Sequence, residues 1–210
     1  MTLFLSGVLM TAFLMVLVKR VGVLISIFFL QSIFLCAITL SVAITHQQTE
    51  LYFVAALVLV VKVIMVPQFL RRVTARIKVA DNLGLSLNPL MSLMAATGLS
   101  GLAYLFARQF VPVADTVRTG AFSVSLSVML IGLFLMIFRM KALAQIIGLL
   151  VMENGLFLAA AALCGGMPFF IEIAIFLDLL VCIMIAGIFV YRINALFTHI
   201  DVDKLRQLRG

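Results

Sequence analysis

The sequence predicts an all-α, polytopic integral membrane protein with seven transmembrane helices. Hydrophobic residues make up 65% of the 210-residue chain and charged residues only 11%. The mean hydropathy of +1.31 lies well outside the range of soluble domains. The apolar residues form seven runs that are long enough, or nearly so, to cross about 30 Å of hydrocarbon. These runs cover residues 2–18, 21–45, 51–66, 90–107, 120–138, 142–163 and 169–190.

The first run has no basic segment before it and is followed by Lys19 and Arg20. A secretory signal carries its cations before the apolar segment, so we interpret this run as an uncleaved span. The second run follows directly and is long enough for a full crossing. The third is short, and we expect it to continue through Pro67 into the basic stretch beyond it.

In that basic stretch, Phe69, Val73 and Ile77 recur every four residues, with Arg72 and Arg76 beside them. This spacing is typical of an amphipathic helix. Two interpretations fit the pattern. The stretch is either an interfacial helix lying on the membrane or an extension of the third span whose arginines contact lipid phosphates.

The later spans are separated by short connections. Asn88 and Pro89 begin the fourth span, and residues 108–119 connect it to the fifth. A Gly-Gly-Met-Pro turn at residues 165–168 follows the sixth span, so the sixth and seventh should form a packed hairpin. The chain therefore divides into a three-helix unit with a basic loop, a linking helix with an outer loop, and a second three-helix unit with a tail. These units cover residues 1–89, 90–119 and 120–210.

The cations predict how the chain is oriented. Twelve of the fifteen follow odd-numbered spans, and only Arg108 and Arg118 lie on the opposite side. By the positive-inside rule, the N-terminus faces outward and the C-terminus faces the cytoplasm of a bacterial or archaeal cell. The net charge of +7 then directs topology and does not indicate a nucleic-acid partner. The twelve are Lys19, Arg20, Arg71, Arg72, Arg76, Lys78, Arg139, Lys141, Arg192, Lys204, Arg206 and Arg209.

Few side chains are suited to hold a cofactor or a metal. Cys36, Cys164 and Cys182 lie in or beside apolar runs without ligand spacing, and His46 and His199 fall on opposite sides of the membrane. We therefore expect no haem, iron–sulfur or zinc site made by this chain alone. The loops are too short for a nucleotide-binding domain, and the sequence contains no Gly-rich phosphate loop.

Glu153 lies in the middle of the sixth run, where a carboxylate costs roughly 2.5–3.5 kcal/mol on insertion scales. Asn154 is adjacent, and Gln145, eight positions earlier, lies on nearly the same helical face. Ionisable groups in lipid often mark an ion or proton path. Glu153 is thus a candidate proton-path residue with Gln145 and Asn154 as polar support. The alternative is a neutral acid that links helices by hydrogen bonding. Gly148 and Gly155 offer small surfaces for close helix packing.

Three further charges lie in apolar runs. Asp178 is near the centre of the seventh run, where it is a second candidate for the proton path. Glu172 lies near the outer end of that run, so it fits either an entry or exit role or a snorkelled interfacial charge. Lys62 lies in the third run, and it either reaches the inner interface with its long stem or pairs with a carboxylate of a neighbouring helix or subunit.

A shift of 122 residues superposes the first three spans on the last three without a gap. The two halves would then be parallel repeats joined by the fourth span. The N-terminal copy would carry the neutral Gln31 where the C-terminal copy has a carboxylate, so Gln31 is also a polar support candidate. The shift aligns Lys19 with Lys141, Gln31 with Glu153, and Glu50 with Glu172.

Two families share features of this sequence. Residues 147–154 (IGLLVMEN), the three-helix pattern of residues 120–210 and the C-terminal residues 199–210 resemble the K subunit of respiratory complex I and its counterpart in multisubunit antiporters. The seven predicted helices and the MENG string at residues 152–155 make the whole chain similar to membrane component E of hydrogenase-4-type, energy-converting nickel–iron (NiFe) hydrogenases.

The chain departs from the K-subunit pattern at both acids. In that family the first acid directly follows a Gly-Leu pair, but Leu150 takes this position here and Glu153 comes three residues later. This shift moves the carboxyl group about 4.5 Å along the helix while keeping roughly the same face. The position of the second acid is occupied by Leu180, with Asp178 two residues away.

The resemblance implies a non-catalytic membrane subunit that links antiporter-like modules and contributes to proton translocation. NiFe and iron–sulfur centres would belong to partner subunits, with Glu153 and Asp178 as relay acids and Lys62 and Glu172 as auxiliary groups. Two other functions fit the residues: a stand-alone, proton-coupled secondary transporter, and a purely structural scaffold.

Overall fold

The computed structural model describes residues 2–47, 49–77, 88–110 and 116–164, and within these ranges it is all-helical, with no β-strand. A backbone in hydrocarbon must satisfy its N–H and C=O groups internally, and a helix does so within one segment. The described elements are α1 (Thr2–Leu17), α2 (Val21–His46), α3 (Thr49–Val58), a π-helical segment (Leu59–Met65), α4 (Val66–Ile77), α5 (Pro89–Phe110), α6 (Thr116–Phe138) and α7 (Ala142–Cys164).

Five stretches of helix in this part of the chain are long and apolar enough to cross a membrane, so the protein is a multi-pass membrane protein. Helix α1 is also apolar, but its 16 residues extend only about 24 Å. The predicted seventh span, residues 169–190, lies outside the described residues, and the seven-span topology stays a prediction. The five stretches are Val21–Thr45, Tyr52–Ala75, Pro89–Phe110, Val117–Phe138 and Ala142–Ala162.

The third span continues through Pro67, as the sequence predicts, because α3, the π-helical segment and α4 follow one another without a break. The backbone N–H of Val66 bonds to the carbonyl of Val61, five residues earlier. A proline in a helix removes one backbone hydrogen bond and crowds the preceding turn, and a wider π turn accommodates it. Helix α4 buries Leu70 and Val73 in the main core. It is therefore an extension of the third span.

Helices α6 and α7 pack in backbone contact. A β-carbon at Gly155 would lie 2.5 Å from the backbone nitrogen of Met129, and one at Gly148 would lie 2.6 Å from that of Met136. Gly132 of α6 comes similarly close to the backbone of α7. The absence of side chains at these positions lets the two helices approach and gain dispersion contacts. The predicted packing role of Gly148 and Gly155 is confirmed, and their partner helix is α6, the fifth predicted span.

The main core lies between α1, α2, α6 and α7, where the side chains of Met15, Phe28, Ile131 and Ile147 are fully enclosed. Helix α5 packs at the edge of this bundle against α6 and α1. It contributes small buried side chains and exposes large apolar ones, as expected for a helix that faces lipid. Its buried residues are Ser92, Ala96, Ala103 and Ala107.

The described cations other than Lys62 divide between the two ends of the bundle. Helix α2 runs antiparallel to the third span, since only residues 47 and 48 separate α2 from α3 and Cys36 lies opposite Ala55. Arg139, between α6 and α7, contacts the end of α1. Seven cations therefore share one end, and Arg108 and Arg118 lie at the other. The seven are Lys19, Arg20, Arg71, Arg72, Arg76, Arg139 and Lys141.

Candidate functional site

Four polar side chains from three helical segments meet inside the bundle, and we call them the polar centre. Gln31 comes from α2, Lys62 from the π-helical segment, and Glu153 and Asn154 from α7. Their exposed fractions are only 0%, 2%, 6% and 0%. Each belongs to an apolar helix, where an ionisable or amide group loses its contact with water. Hydrogen bonds join three of the four residues: Lys62, Asn154 and Gln31.

Lys62 reaches inward to α7. Its Nζ atom donates a hydrogen bond to Oδ1 of Asn154 over 3.1 Å, and it lies 5.6 Å from the ring centroid of Phe157. An aromatic face attracts a cation at this distance. The lysine is held inside the bundle and does not snorkel to the interface. Its hydrogen-bond partner here is an amide, and the predicted pairing with a carboxylate of a neighbouring helix or subunit stays a prediction.

The two amides of the polar centre continue this contact into the N-terminal helices. Nδ2 of Asn154 donates to Oε1 of Gln31 over 3.2 Å, and Nε2 of Gln31 donates to the backbone carbonyl of Val8 over 3.3 Å. A hydrogen-bonded series therefore runs from Lys62 through α7 and α2 to α1. It connects residues separated by up to 123 positions in the chain.

Glu153 is buried beside Asn154 on α7. Phe157 follows one helical turn later, so Glu153 and Phe157 share a side of the helix. Because Lys62 lies over the Phe157 ring, Glu153 and Lys62 lie in one region of the bundle. An acid and a base buried together stabilise each other, and the removal of one leaves the other poorly compensated.

The structure does not bring Gln145 to the polar centre. Its Nε2 atom donates to the backbone carbonyl of Arg139 over 2.9 Å, at the turn between α6 and α7. Eight residues separate Gln145 from Glu153, which is about 12 Å along a helix. Gln145 thus fastens the start of α7.

Arg139 forms a buried contact that the sequence did not indicate beyond its charge. Its guanidinium donates to the carbonyl oxygens of Val18, Met15 and Val16 over 2.7, 2.8 and 3.1 Å. The last carbonyls of a helix have no partner within that helix, and a cation also complements the negative end of the helix dipole. Burial lowers the pKa of Arg139, but an arginine remains protonated in a protein. Arg139 therefore caps α1 from the α6–α7 turn.

Asp178 and Glu172 lie outside the described residues. The proposed duplication also stays a prediction. The structure does pair Gln31 with Asn154, which follows the residue that the repeat would align with Gln31. The signal that could have identified the Gln31 contact was a lone amide in a long apolar run.

One protein related to this chain by sequence comes from Mycobacterium tuberculosis. The uncharacterized protein Rv0085 of that organism is 31% identical over 176 residues, which cover 83% of this chain and 80% of that protein. The chain belongs to the same family as this mycobacterial protein. No family model matches the chain, and no solved structure matches it.

The chain is also similar, more distantly, to a hydrogenase protein. Hydrogenase-4 component E of Escherichia coli K12 is 26% identical to the chain over 184 residues, which cover 86% of this chain and 83% of that protein. The protein of the same name from Shigella flexneri has the same identity and coverage. The similarity that the sequence indicates to component E is thus found, as a distant one. The resemblance to the K subunit of complex I stays a prediction.

Proposed function

We propose that this chain is a non-catalytic membrane subunit of an energy-converting hydrogenase or a related complex-I-like assembly, in which it links antiporter-like modules and contributes to proton translocation. Its similarity to hydrogenase-4 component E over most of both chains supports a place in a hydrogenase-type assembly. The multi-pass helical fold supports a role within the membrane.

The observation that carries the proton-path role is the joint burial of Lys62 and Glu153 in the polar centre. Each charged group costs roughly 2.5–3.5 kcal/mol at mid-membrane on insertion scales. A scaffold does not need ionisable groups, because small residues allow close helix packing, as at the contact of α6 with α7. Ionisable residues retained at such a cost favour a function over mere attachment.

In the proposed mechanism, Glu153 is a relay acid. A carboxylate in low dielectric keeps its charge beside a cation and takes up a proton when that neighbour loses its charge. Lys62 supplies the cation in this region. Asp178 is the proposed second relay acid, and Glu172 is an auxiliary group near the outer end of the predicted seventh span.

The proposed assembly supplies the redox chemistry. NiFe and iron–sulfur centres reside in partner subunits, and antiporter-like subunits lie beside this chain in the membrane. The end of the bundle that carries seven described cations faces the cytoplasm of the bacterial or archaeal cell, with the N-terminus outside. Reporter fusions at the C-terminus and within residues 78–87 test this orientation, and an external C-terminus would contradict it.

Glu153→Gln tests the relay. The amide keeps the size of the side chain and removes the titratable group, so the variant should assemble normally and lose most proton translocation in sealed vesicles. Glu50→Gln is the control, because it removes a carboxylate in the first turn of α3 rather than at mid-span. Normal translocation by an assembled Glu153→Gln complex would show that this acid is structural.

Purification from native membranes separates the proposed subunit from a stand-alone transporter. The tagged chain should carry hydrogenase and antiporter-like subunits through a mild detergent purification. Proton-coupled transport by the chain alone in proteoliposomes would instead favour the transporter.

A further inference from the structure

We propose that the side-chain amides of Gln31 and Asn154 form a hydrogen-bonded series with one fixed donor-to-acceptor direction, which we call the amide ladder. The ladder positions the amine of Lys62 and does not itself carry protons. The proposal deepens the proposed function, and it rests on that function where it treats Lys62 as a member of the proton path. The ladder comprises three bonds: Lys62 to Asn154, Asn154 to Gln31, and Gln31 to the carbonyl of Val8.

The direction of the ladder is fixed at its far end. A backbone carbonyl can only accept, so the group that Gln31 turns towards Val8 must be its NH₂. The Oε1 atom of Gln31 then faces Asn154, which must donate a hydrogen bond to it from its own NH₂ group. The Oδ1 atom of Asn154 is left facing Lys62. A flip of either amide would oppose two acceptors or two donors inside the bundle, at the cost of a buried polar group without its bond.

This polarity suits a lysine that changes its charge. The Oδ1 atom of Asn154 accepts a hydrogen bond from an amine with three protons and from one with two. The ladder can therefore hold Nζ in one place throughout a proton cycle. A fixed position matters because the lysine stem is long and flexible and would otherwise reach towards water.

The ladder also limits the route of the proton. A primary amide neither releases an N–H proton nor holds an extra proton at its oxygen near neutral pH, so Asn154 and Gln31 end the path rather than extend it. Protons consequently reach Lys62 from the side of Glu153 and Phe157, and none pass towards α1. Gln31 and Asn154 are thus positioning residues.

An exchange of side-chain lengths tests the ladder. Gln31→Asn shortens the side chain at position 31 by one methylene, and Asn154→Gln lengthens the side chain at position 154 by one methylene. Each single change therefore misplaces Lys62. The double variant with both changes restores the combined reach from Val8 to Lys62. Gln31→Met keeps the side-chain volume and removes both hydrogen bonds that the Gln31 side chain makes. Gln145→Asn is the control, because it shortens an amide of α7 that bonds to Arg139 instead.

The readout is the rate of reductive methylation of Lys62 in the full chain in detergent, measured by mass spectrometry relative to the exposed Lys19. Each single variant and Gln31→Met should raise the relative rate about tenfold, the factor that corresponds to one lost hydrogen bond. The double variant and Gln145→Asn should retain the slow rate of the unmodified chain. Size-exclusion profiles establish that each variant is folded.

Two results would overturn the ladder: a slow Lys62 rate in the folded Gln31→Met variant, or a double variant that stays as fast as the singles. Proton translocation by the assembled complex is measured separately. If the methylation rates follow the ladder while translocation is unchanged in every variant, the ladder stands and the proton-path role of Lys62 fails.

Discussion

The two sides of α7 hold their neighbours by different means. Towards α6, Gly148 and Gly155 bring two backbones into contact because they carry no side chains. On the other side, Asn154 and Lys62 form a hydrogen bond between α7 and the π-helical segment, with Glu153 buried beside them. One side of the helix is therefore held by backbone contact and the other by hydrogen bonds between buried polar groups. This division fits the proposed function, in which the first side keeps the subunit assembled and the second contributes to the proton path.

The side of α7 that contacts α6 should be the less tolerant of the two, and Gly155→Leu should have the largest effect. Even the first carbon of the new side chain would meet the backbone of Met129, which cannot move aside without separating α6 from α7. Overpacking typically costs about 1–3 kcal/mol, and a contact with backbone lies at or beyond the upper end. We expect loss of the folded chain, measured as its yield and thermal stability in detergent.

Gly98→Leu is the control for this change. A β-carbon at Gly98 of α5 would have nothing within 4 Å among the described residues, so the variant should retain its yield. Equal losses at Gly98 and Gly155 would show that glycine itself, rather than the α6–α7 contact, determines the outcome. Gly155→Ala should give an intermediate loss.

Arg139→Met should have the next largest effect. It removes a guanidinium that bonds to three carbonyls at the end of α1. Hydrogen bonds to a charged group are worth about 1.5–3 kcal/mol each, but the freed carbonyls can partly regain water at the end of the bundle. We expect a loss of about 3 kcal/mol, measured by denaturation in detergent. Arg72→Met, at an exposed arginine of α4, is the matched control and should be near neutral.

Arg139 also separates structural from functional polar groups. The surviving Arg139→Met complexes should translocate protons at a normal rate per assembled complex, unlike Glu153→Gln complexes. A normal yield with lost translocation would instead show that Arg139 is needed for proton translocation rather than for stability.

The sequence predicted the spans better than it predicted their contacts. Apolar runs identify the helices because a backbone in lipid has few alternatives, and the bounds of the fourth to sixth runs agree with α5, α6 and α7 to within a few residues. Glu153 and Lys62 were recognisable because their charge contradicts their surroundings. Their convergence was not predictable, because it depends on the packing of α7 against α2.

The same limit explains the placement of Gln145 and Arg139. Helical spacing put Gln145 with Glu153, but a face shared on one helix does not decide which neighbour it contacts at each level. Charge counting assigned Arg139 only to one side of the membrane. The free carbonyls at the end of α1 create its second role, and they come from a helix about 120 residues earlier.

Phe157→Leu should have the smallest effect on stability and should act selectively on the polar side of α7. Leucine fills much of the ring volume, so we expect a loss of about 1 kcal/mol. It also removes the aromatic face 5.6 Å from Nζ of Lys62, so methylation of Lys62 should accelerate. Phe134→Leu is the matched control, because Phe134 of α6 is a phenylalanine with the same exposed fraction of 7%. It should lose similar stability without changing the Lys62 rate. An equal acceleration in both variants would mean that general loosening of the bundle exposes Lys62. The Phe157 ring would then have no specific effect on Lys62.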